Sequence, residues 1–397
     1  MMKEQLAIDG GQPLRTAPFP QWPIFDEKEE RLVLEVLHSG NWGILSGDKV
    51  NTFEQRFAEF QGAQFATCVP NGTLALEMAL RALGIGPGDE VITTPYTFIA
   101  TASAALMVGA KPVFVDIDLQ SYNIDPAKIE AAVTERTKAI MPVHLAGRPA
   151  DLDAILDIAK RHNLKVVEDA CQAWGSEWQG HRVGAIGDLG AFSFQASKNI
   201  TAGEGGAVVT NDPELHEMCW SLHNVGRVPT GAWYQHERIG WNLRMTEWQG
   251  AVLLAQLERL SEATKIRDAN ARYLMEALDG VVGLTPLPED PRVTRHSRHL
   301  FIMRYESEAF GGHSRNAFMQ ALRAEGIEPC SAGYVPLYRS PAIAATLAEG
   351  EGDPSAYPAT EVAAEQTVWL FQYALLGDRT DMDTIVDAVL KIQRAWA

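Results

Sequence analysis

Lys198 lies in the stretch LGAFSFQASKNITAGEGGAVVTN, residues 189–211, between two apolar runs each long enough for one buried strand, Leu189 to Phe194 and Gly206 to Thr210. The glycine-dense turn Gly203-Glu204-Gly205-Gly206 follows the lysine. A lysine desolvated in a tight loop between buried strands can release its proton, act as a nucleophile and form a Schiff base with a carbonyl compound. A solvated loop lysine is the plain alternative. Val166-Val167-Glu168-Asp169-Ala170 reads as a buried strand ending in acid, where the Asp169 carboxylate can serve a site or cap a following helix. Asn71-Gly72-Thr73 opens a predicted helix and offers backbone amides and a hydroxyl to a phosphate, although any helix can begin so. The ten histidines show no metal-ligand spacing and no metal site is expected; His144 and His223 read as structural histidines.

The elements that must position these residues alternate along the chain. Prolines 13, 18, 20 and 23 make residues 7–23 an extended arm, of the kind that lies across a neighbouring domain or subunit. Helical spacing marks residues 27–38 and 50–60. From Phe65 onward strands are predicted at 65–69, 90–94, 112–115, 139–143 and 165–168, separated by helices at 72–83, 98–108, 126–133 and 152–162. Such alternation predicts an α/β domain with a large, mostly parallel sheet covered by helices. Ligands of these sheets sit outside the carboxyl ends of the strands, and Asn71, Tyr96, Asp169 and Lys198 all fall there. A helix at 213–222 is followed by an irregular, aromatic-rich stretch to Leu243; a long amphipathic helix spans 246–263, and its continuation toward Leu278 would suit a connector between lobes. Strands at 299–305 and 327–332 with helices at 314–325 and 380–395 predict a smaller α+β C-terminal domain. The division expected is an arm at 1–25, a large domain at 26–255 and a small domain at 256–397.

Composition narrows the classes. The net charge of −17 argues against a nucleic-acid partner. Four cysteines far apart, with no C-x-x-C pair, predict neither a disulfide framework nor a zinc site and favour a reducing cytoplasm. The first residues lack a signal-peptide core, and no stretch reaches the length of a membrane span.

The pattern S-F-x-x-x-K-N-I-T-x-G-E-G-G around Lys198 resembles the lysine segment of the DegT/DnrJ/EryC1/StrS sugar aminotransferases, which depend on pyridoxal 5'-phosphate (PLP). The resemblance implies the fold-type I architecture and gives residues their roles. Lys198 carries the cofactor covalently, and Ser193, with Gly72 and Thr73, binds its phosphate. Asp169, in the pattern E-D-A-x-Q, holds the ring nitrogen protonated so that the ring acts as an electron sink, and Gln172 faces the phenolic oxygen. Phe98 stacks on the ring, the alternative being a core phenylalanine. Gly240-Trp241-Asn242-Leu243-Arg244-Met245 resembles the family's G-x-N-x-R-M segment, whose asparagine reaches the partner subunit's cofactor phosphate. Asn242 is therefore expected to serve the neighbouring site of a homodimer, while a structural ion pair explains Arg244 equally well.

These roles imply transamination. An amino group moves from glutamine or glutamate to the cofactor, leaving its pyridoxamine form (PMP), and from there to a keto sugar or keto cyclitol. Nucleotide-sugar members often carry H-Y-x-x-x-H in the small lobe, where this chain reads Ser331-Ala332-Gly333-Tyr334-Val335-Pro336-Leu337-Tyr338. The start Gly10-Gly11-Gln12-Pro13-Leu14-Arg15 and the turn Asn71-Gly72-Thr73 resemble instead the branch of cyclitol aminotransferases and aminohydroxybenzoate synthases. The rivals are a nucleotide-linked keto-sugar aminotransferase, a PMP-dependent sugar dehydratase, a nicotinamide dehydrogenase and a non-catalytic regulator. Lys198 speaks against the dehydratase, which has histidine there, and no G-x-G-x-x-G supports the dehydrogenase.

Overall fold

The computed structural model describes residues 5–396. Seven strands form the central sheet: β1 (Phe65–Val69), β2 (Glu90–Thr93), β3 (Lys111–Phe114), β4 (Thr137–Ile140), β5 (Lys165–Asp169), β8 (Leu189–Ser193) and β9 (Gly206–Thr210), after a small ribbon of β6 (Glu177–Trp178) and β7 (His181–Arg182). Their order is β1-β9-β8-β5-β4-β2-β3. All neighbours from β8 to β3 run parallel, and only β9 opposes both of its partners. The direct return from β8 to β9 makes that antiparallel pair, and the return is the turn holding Lys198.

Helices α1 (Glu27–Ser39), α2 (Lys49–Gln61), α3 (Gly72–Ala82), α4 (Ala100–Met107), α5 (Pro126–Ile129), α6 (Leu152–His162) and α7 (Pro213–His223) accompany this sheet. The predicted apolar face of α2 is present: Phe53 and Phe57 are fully buried, and Phe57 meets Phe192 of β8 edge-on at 5.1 Å. Such aromatic pairs add roughly 1 kcal/mol beyond their buried area.

α8 (Glu247–Ala277) is one unbroken helix of 31 residues that runs on past Ala263 to its cap at Leu278, as a connector between lobes requires. It contains no proline, and its single glycine, Gly250, packs 2.7 Å (from the position of a Cβ) against the Val50 backbone nitrogen. The boundary expected at 255/256 therefore falls inside a helix shared by both lobes. Its first half packs with Phe53 and Phe194, whereas Ala271 and Leu274 join the small-lobe core around Phe301, Phe318 and Ile385.

That lobe holds β10 (Leu284–Pro286), β12 (Leu300–Tyr305), β13 (Cys330–Ala332) and β14 (Thr367–Phe371) in the antiparallel order β10-β12-β14-β13, while β11 (Val293–Arg295) joins β6 and β7. Helices α9 (Arg315–Ala324), α10 (Pro341–Ala344), α11 (Pro358–Gln366) and α12 (Arg379–Trp396) complete it. The N-terminal arm lies across this lobe of its own chain. Glu325, fully buried, accepts from the Ala7 and Leu14 amides at 2.8 and 3.2 Å and pairs with Lys391 at 2.9 Å.

Candidate active site

β5, β8, the amino end of α3 and the loop before α4 converge on a cavity of about 900 Å³ beneath the small lobe. Gly72, Thr73, Phe98, Asp169, Gln172, Ser193 and Lys198 all line it. Asn242 does not. It is exposed on the irregular segment, bridged to Asn224, and absent from its own chain's cavity wall.

Each side chain is placed by its element. Asp169 ends β5, and its carboxylate accepts from Thr101 Oγ1 at 2.7 Å and the Cys171 amide at 3.2 Å. No helix begins at Ala170, so Asp169 caps nothing. The adjacent Glu168 turns to the opposite side, where His144 and three backbone amides at 2.6–2.9 Å consume it. His144 also accepts from the Ala150 amide through Nδ1 at 3.0 Å, so its ring is fully engaged in structure.

At the start of α3, Asn71 Oδ1 caps the Leu74 amide at 2.9 Å. The amides of Gly72 and Thr73 belong to the helix's first turn, which has no partners inside the helix. A Cβ on Gly72 would lie 2.7 Å from Ser193 Cβ, and one on Gly206 would lie 2.5 Å from the Asn71 carbonyl oxygen. Only glycine admits this approach, which seats the helix end against Ser193 and leaves an anion cradle. Gln172 accepts from the Ala146 amide through Oε1 at 2.8 Å, which orients its other end: Nε2 donates to Tyr334 Oη at 3.1 Å and keeps a second N–H for a ligand oxygen.

Lys198 is half-buried in the β8–β9 turn, its Nζ 6.0 Å from the centre of the Trp174 ring. No carboxylate lies within ion-pair distance of it among the described residues. Burial lowers its pKa, and the nearby Cys171 and Asp169 offset part of that effect. Phe98 is 56% exposed at the cavity mouth, which rules out the core reading.

Four polar or aromatic residues that no motif announced also stand on the wall. Thr101 orients Asp169, and Trp369 and Phe371 come from β14. His299 is the fourth. Asn199 donates through Nδ2 to the Ser297 carbonyl at 2.7 Å, so its Oδ1 faces His299 Nδ1 at 3.0 Å and that nitrogen carries the proton. Burial, aided by Lys198 and Arg267, holds the ring neutral, its pKa well below the ordinary value. Three of these lie in the loop-to-helix junction or the small lobe, where no motif marks them.

The donor set fits a phosphorylated pyridine aldehyde: a helix-end cradle with a serine, a carboxylate across from it, an amide N–H and one desolvated lysine. Fold and site together define a fold-type I PLP-dependent aminotransferase. A model of the DegT/DnrJ/EryC1/StrS aminotransferase family matches residues 23–390, and the chain belongs to that family. Among its relatives is the L-glutamine:2-deoxy-scyllo-inosose aminotransferase of Streptoalloteichus tenebrarius, 38% identical with 99% of this chain and 98% of that protein covered. The 3-amino-5-hydroxybenzoate synthase of Amycolatopsis mediterranei is 40% identical over 95% of this chain and 99% of its own length. The crystal structure of a 3-amino-5-hydroxybenzoic acid synthase superposes with a TM-score of 0.90 at 38% identity, covering 95% of this chain and 99% of that one. No helix among the described residues is long and apolar enough to cross a membrane.

Proposed function

We propose that this aminotransferase moves the amino group of L-glutamine to a keto cyclitol, acting as a homodimer in the cytoplasm. The observation that carries the chemistry is the convergence of Lys198, Asp169, Ser193 and the α3 amino end on one cavity. The named substrates of the relatives support the substrate class. Four unpaired cysteines are consistent with a reducing compartment.

PLP supplies an electron sink that stabilises the carbanion formed when the substrate α-proton is removed. The chain's own residues do the rest. Asp169, oriented by Thr101, would hold the ring nitrogen protonated. The Gly72 and Thr73 amides and the Ser193 hydroxyl would hold the phosphate, and the free Gln172 N–H would donate to the phenolic oxygen. Phe98 covers the ring at the mouth. Lys198, its pKa lowered by burial, would hold the cofactor aldehyde and, as a free amine, would take the proton from the substrate carbon. Asn242 serves the partner's phosphate. The proposed division is an arm, a large cofactor-binding lobe and a small lobe, with α8 running through both lobes.

A half-reaction screen tests the substrate class. Amine-form enzyme is mixed with scyllo-inosose, a nucleotide-linked 4-keto sugar and pyruvate in parallel. Return of the aldehyde spectrum is expected fastest with scyllo-inosose. Return with the nucleotide sugar alone would move the enzyme to the nucleotide-sugar branch, and return with pyruvate alone would remove the polyol reading.

A further inference from the structure

The cavity of a single chain lacks a cation for the donor's carboxylate. Among the described residues Lys198 is the only lysine or arginine on its wall, and that amine is committed to the cofactor; the wall also carries Asp169 and Glu204. In a protein of net charge −17, an amino acid carboxylate entering there needs a local positive partner.

Such a partner is built outside the wall, on the segment between α7 and α8. Arg227 and Arg244 both donate from Nη1 to the same atom, Asn224 Oδ1, at 3.2 and 2.9 Å. Neither guanidinium has a carboxylate within 4.0 Å among the described residues. Two cations gathered on one neutral oxygen repel each other, an arrangement that an incoming anion relieves. The gathering is enforced by the backbone. Val225 is held at φ +56°, a conformation that β-branched residues rarely adopt, and Gly226 follows at φ +79°. This turn buries Asn224 to 3% exposure, while Arg227 is also fixed by the Trp233 carbonyl at 2.8 Å and the Trp233 ring at 4.2 Å. Local strain of this kind persists where the surroundings over-determine it. The pair sits beside the Asn224–Asn242 bridge, on a segment that also exposes Trp233, Tyr234 and Ile239.

We propose that Arg227 and Arg244, clamped on Asn224, form the receptor for the α-carboxylate of the amino donor in the partner subunit's cavity. The inference rests on the shared-site dimer proposed above, and it completes a site that one chain leaves without a cation. The guanidinium pair binds the carboxylate by charge-assisted hydrogen bonds and places the α-amine toward Lys198 of the other copy. A polyol ketone has no carboxylate, so the acceptor half-reaction does not use the pair.

The test compares Arg227→Met, Arg244→Met and the double variant with wild type, all as PLP-loaded protein. For the first half-reaction the L-glutamine concentration giving half-maximal rate should rise about 10- to 100-fold in each single variant. With scyllo-inosamine, an amine lacking a carboxylate, the rate should stay within about twofold of wild type. Equal loss with both donors would overturn the receptor, since it would mark a structural role. A readout independent of turnover is phenylglyoxal labelling: L-glutamine should protect both arginines in the wild-type protein, and unchanged labelling contradicts the proposal.

Subunit mixing separates this proposal from the dimer beneath it. In a heterodimer of the double variant with Lys198→Ala, the one live cavity belongs to the double variant. Restoration of wild-type glutamine response there supports donation across the interface, whereas a variant-like response would place the pair in its own chain's service and overturn it. A monomer by sedimentation would instead refute the shared-site reading itself.

Discussion

At the residue scale the site depends on what each carboxylate is allowed to touch. Glu168 and Asp169 are neighbours on one strand, yet Glu168 is spent on His144 and three amides while Asp169 faces the cavity with Thr101 behind it. Asp169→Asn is therefore expected to keep the fold and the yellow cofactor but lower kcat about a hundred- to a thousandfold, the scale of losing one preorganised electrostatic group. Circular dichroism and steady-state rates check this, and a variant with near wild-type activity contradicts the assigned role. Lys198, Asp169, Gln172 and Ser193 were legible because each lies in a short motif beside a strand end. Thr101, Trp369 and Phe371 were not: their positions follow from how α4 and the small lobe fold over the sheet, which no local spacing encodes. His299 was read only as the start of a strand. Its fixed tautomer comes from Asn199, a hundred residues away in the chain.

At the element scale, periodicity located almost every helix and sheet strand of the large lobe, because alternating β and α segments there are separated by glycine or proline turns. Strand β14 went unread. α11 runs directly into it at Gln366–Thr367 with no turn residue between, so its apolar run carries no boundary signal. The Ala139–Val143 strand ends early, at Ile140, although Val143 still bridges Asp169 and so carries the sheet edge to the site. How α2 is seated makes a pH prediction. Glu54 on α2 accepts from the Cys68 amide of β1 at 2.7 Å, and burial raises its pKa to about 8. A group whose pKa is higher folded than unfolded gives stability that is complete below the unfolded pKa, about 4.5, and is lost as pH rises through about 8. The urea midpoint of the wild type should fall between pH 6 and pH 9. That of Glu54→Gln, which has no proton to lose, should fall less. Parallel slopes for the two proteins would show that Glu54 does not titrate in this range.

At the scale of the whole molecule, one chain supplies most of a site and projects Asn242 away from it. If the site is shared, mixing inactive Lys198→Ala protein with impaired Asn242→Ala protein should regain up to about a quarter of wild-type activity, since half of the dimers are mixed and each mixed dimer carries one good site. Absence of recovery despite proven exchange contradicts sharing. The mostly parallel sheet and the two-lobe plan were legible from the order of elements, and the arm was foreseen as an extended segment. Its resting place on Glu325 of the same chain was not, because a proline-rich sequence specifies extension without naming a partner surface. The central claim is that Lys198 holds the cofactor and yields it when the donor arrives. Borohydride reduction followed by peptide mapping tests this most directly, on resting protein and on protein first equilibrated with L-glutamine alone. The cofactor's mass is expected on the Lys198 peptide in the resting protein and is expected to be lost after glutamine. A label on another lysine, or one on Lys198 that glutamine leaves unchanged, contradicts it.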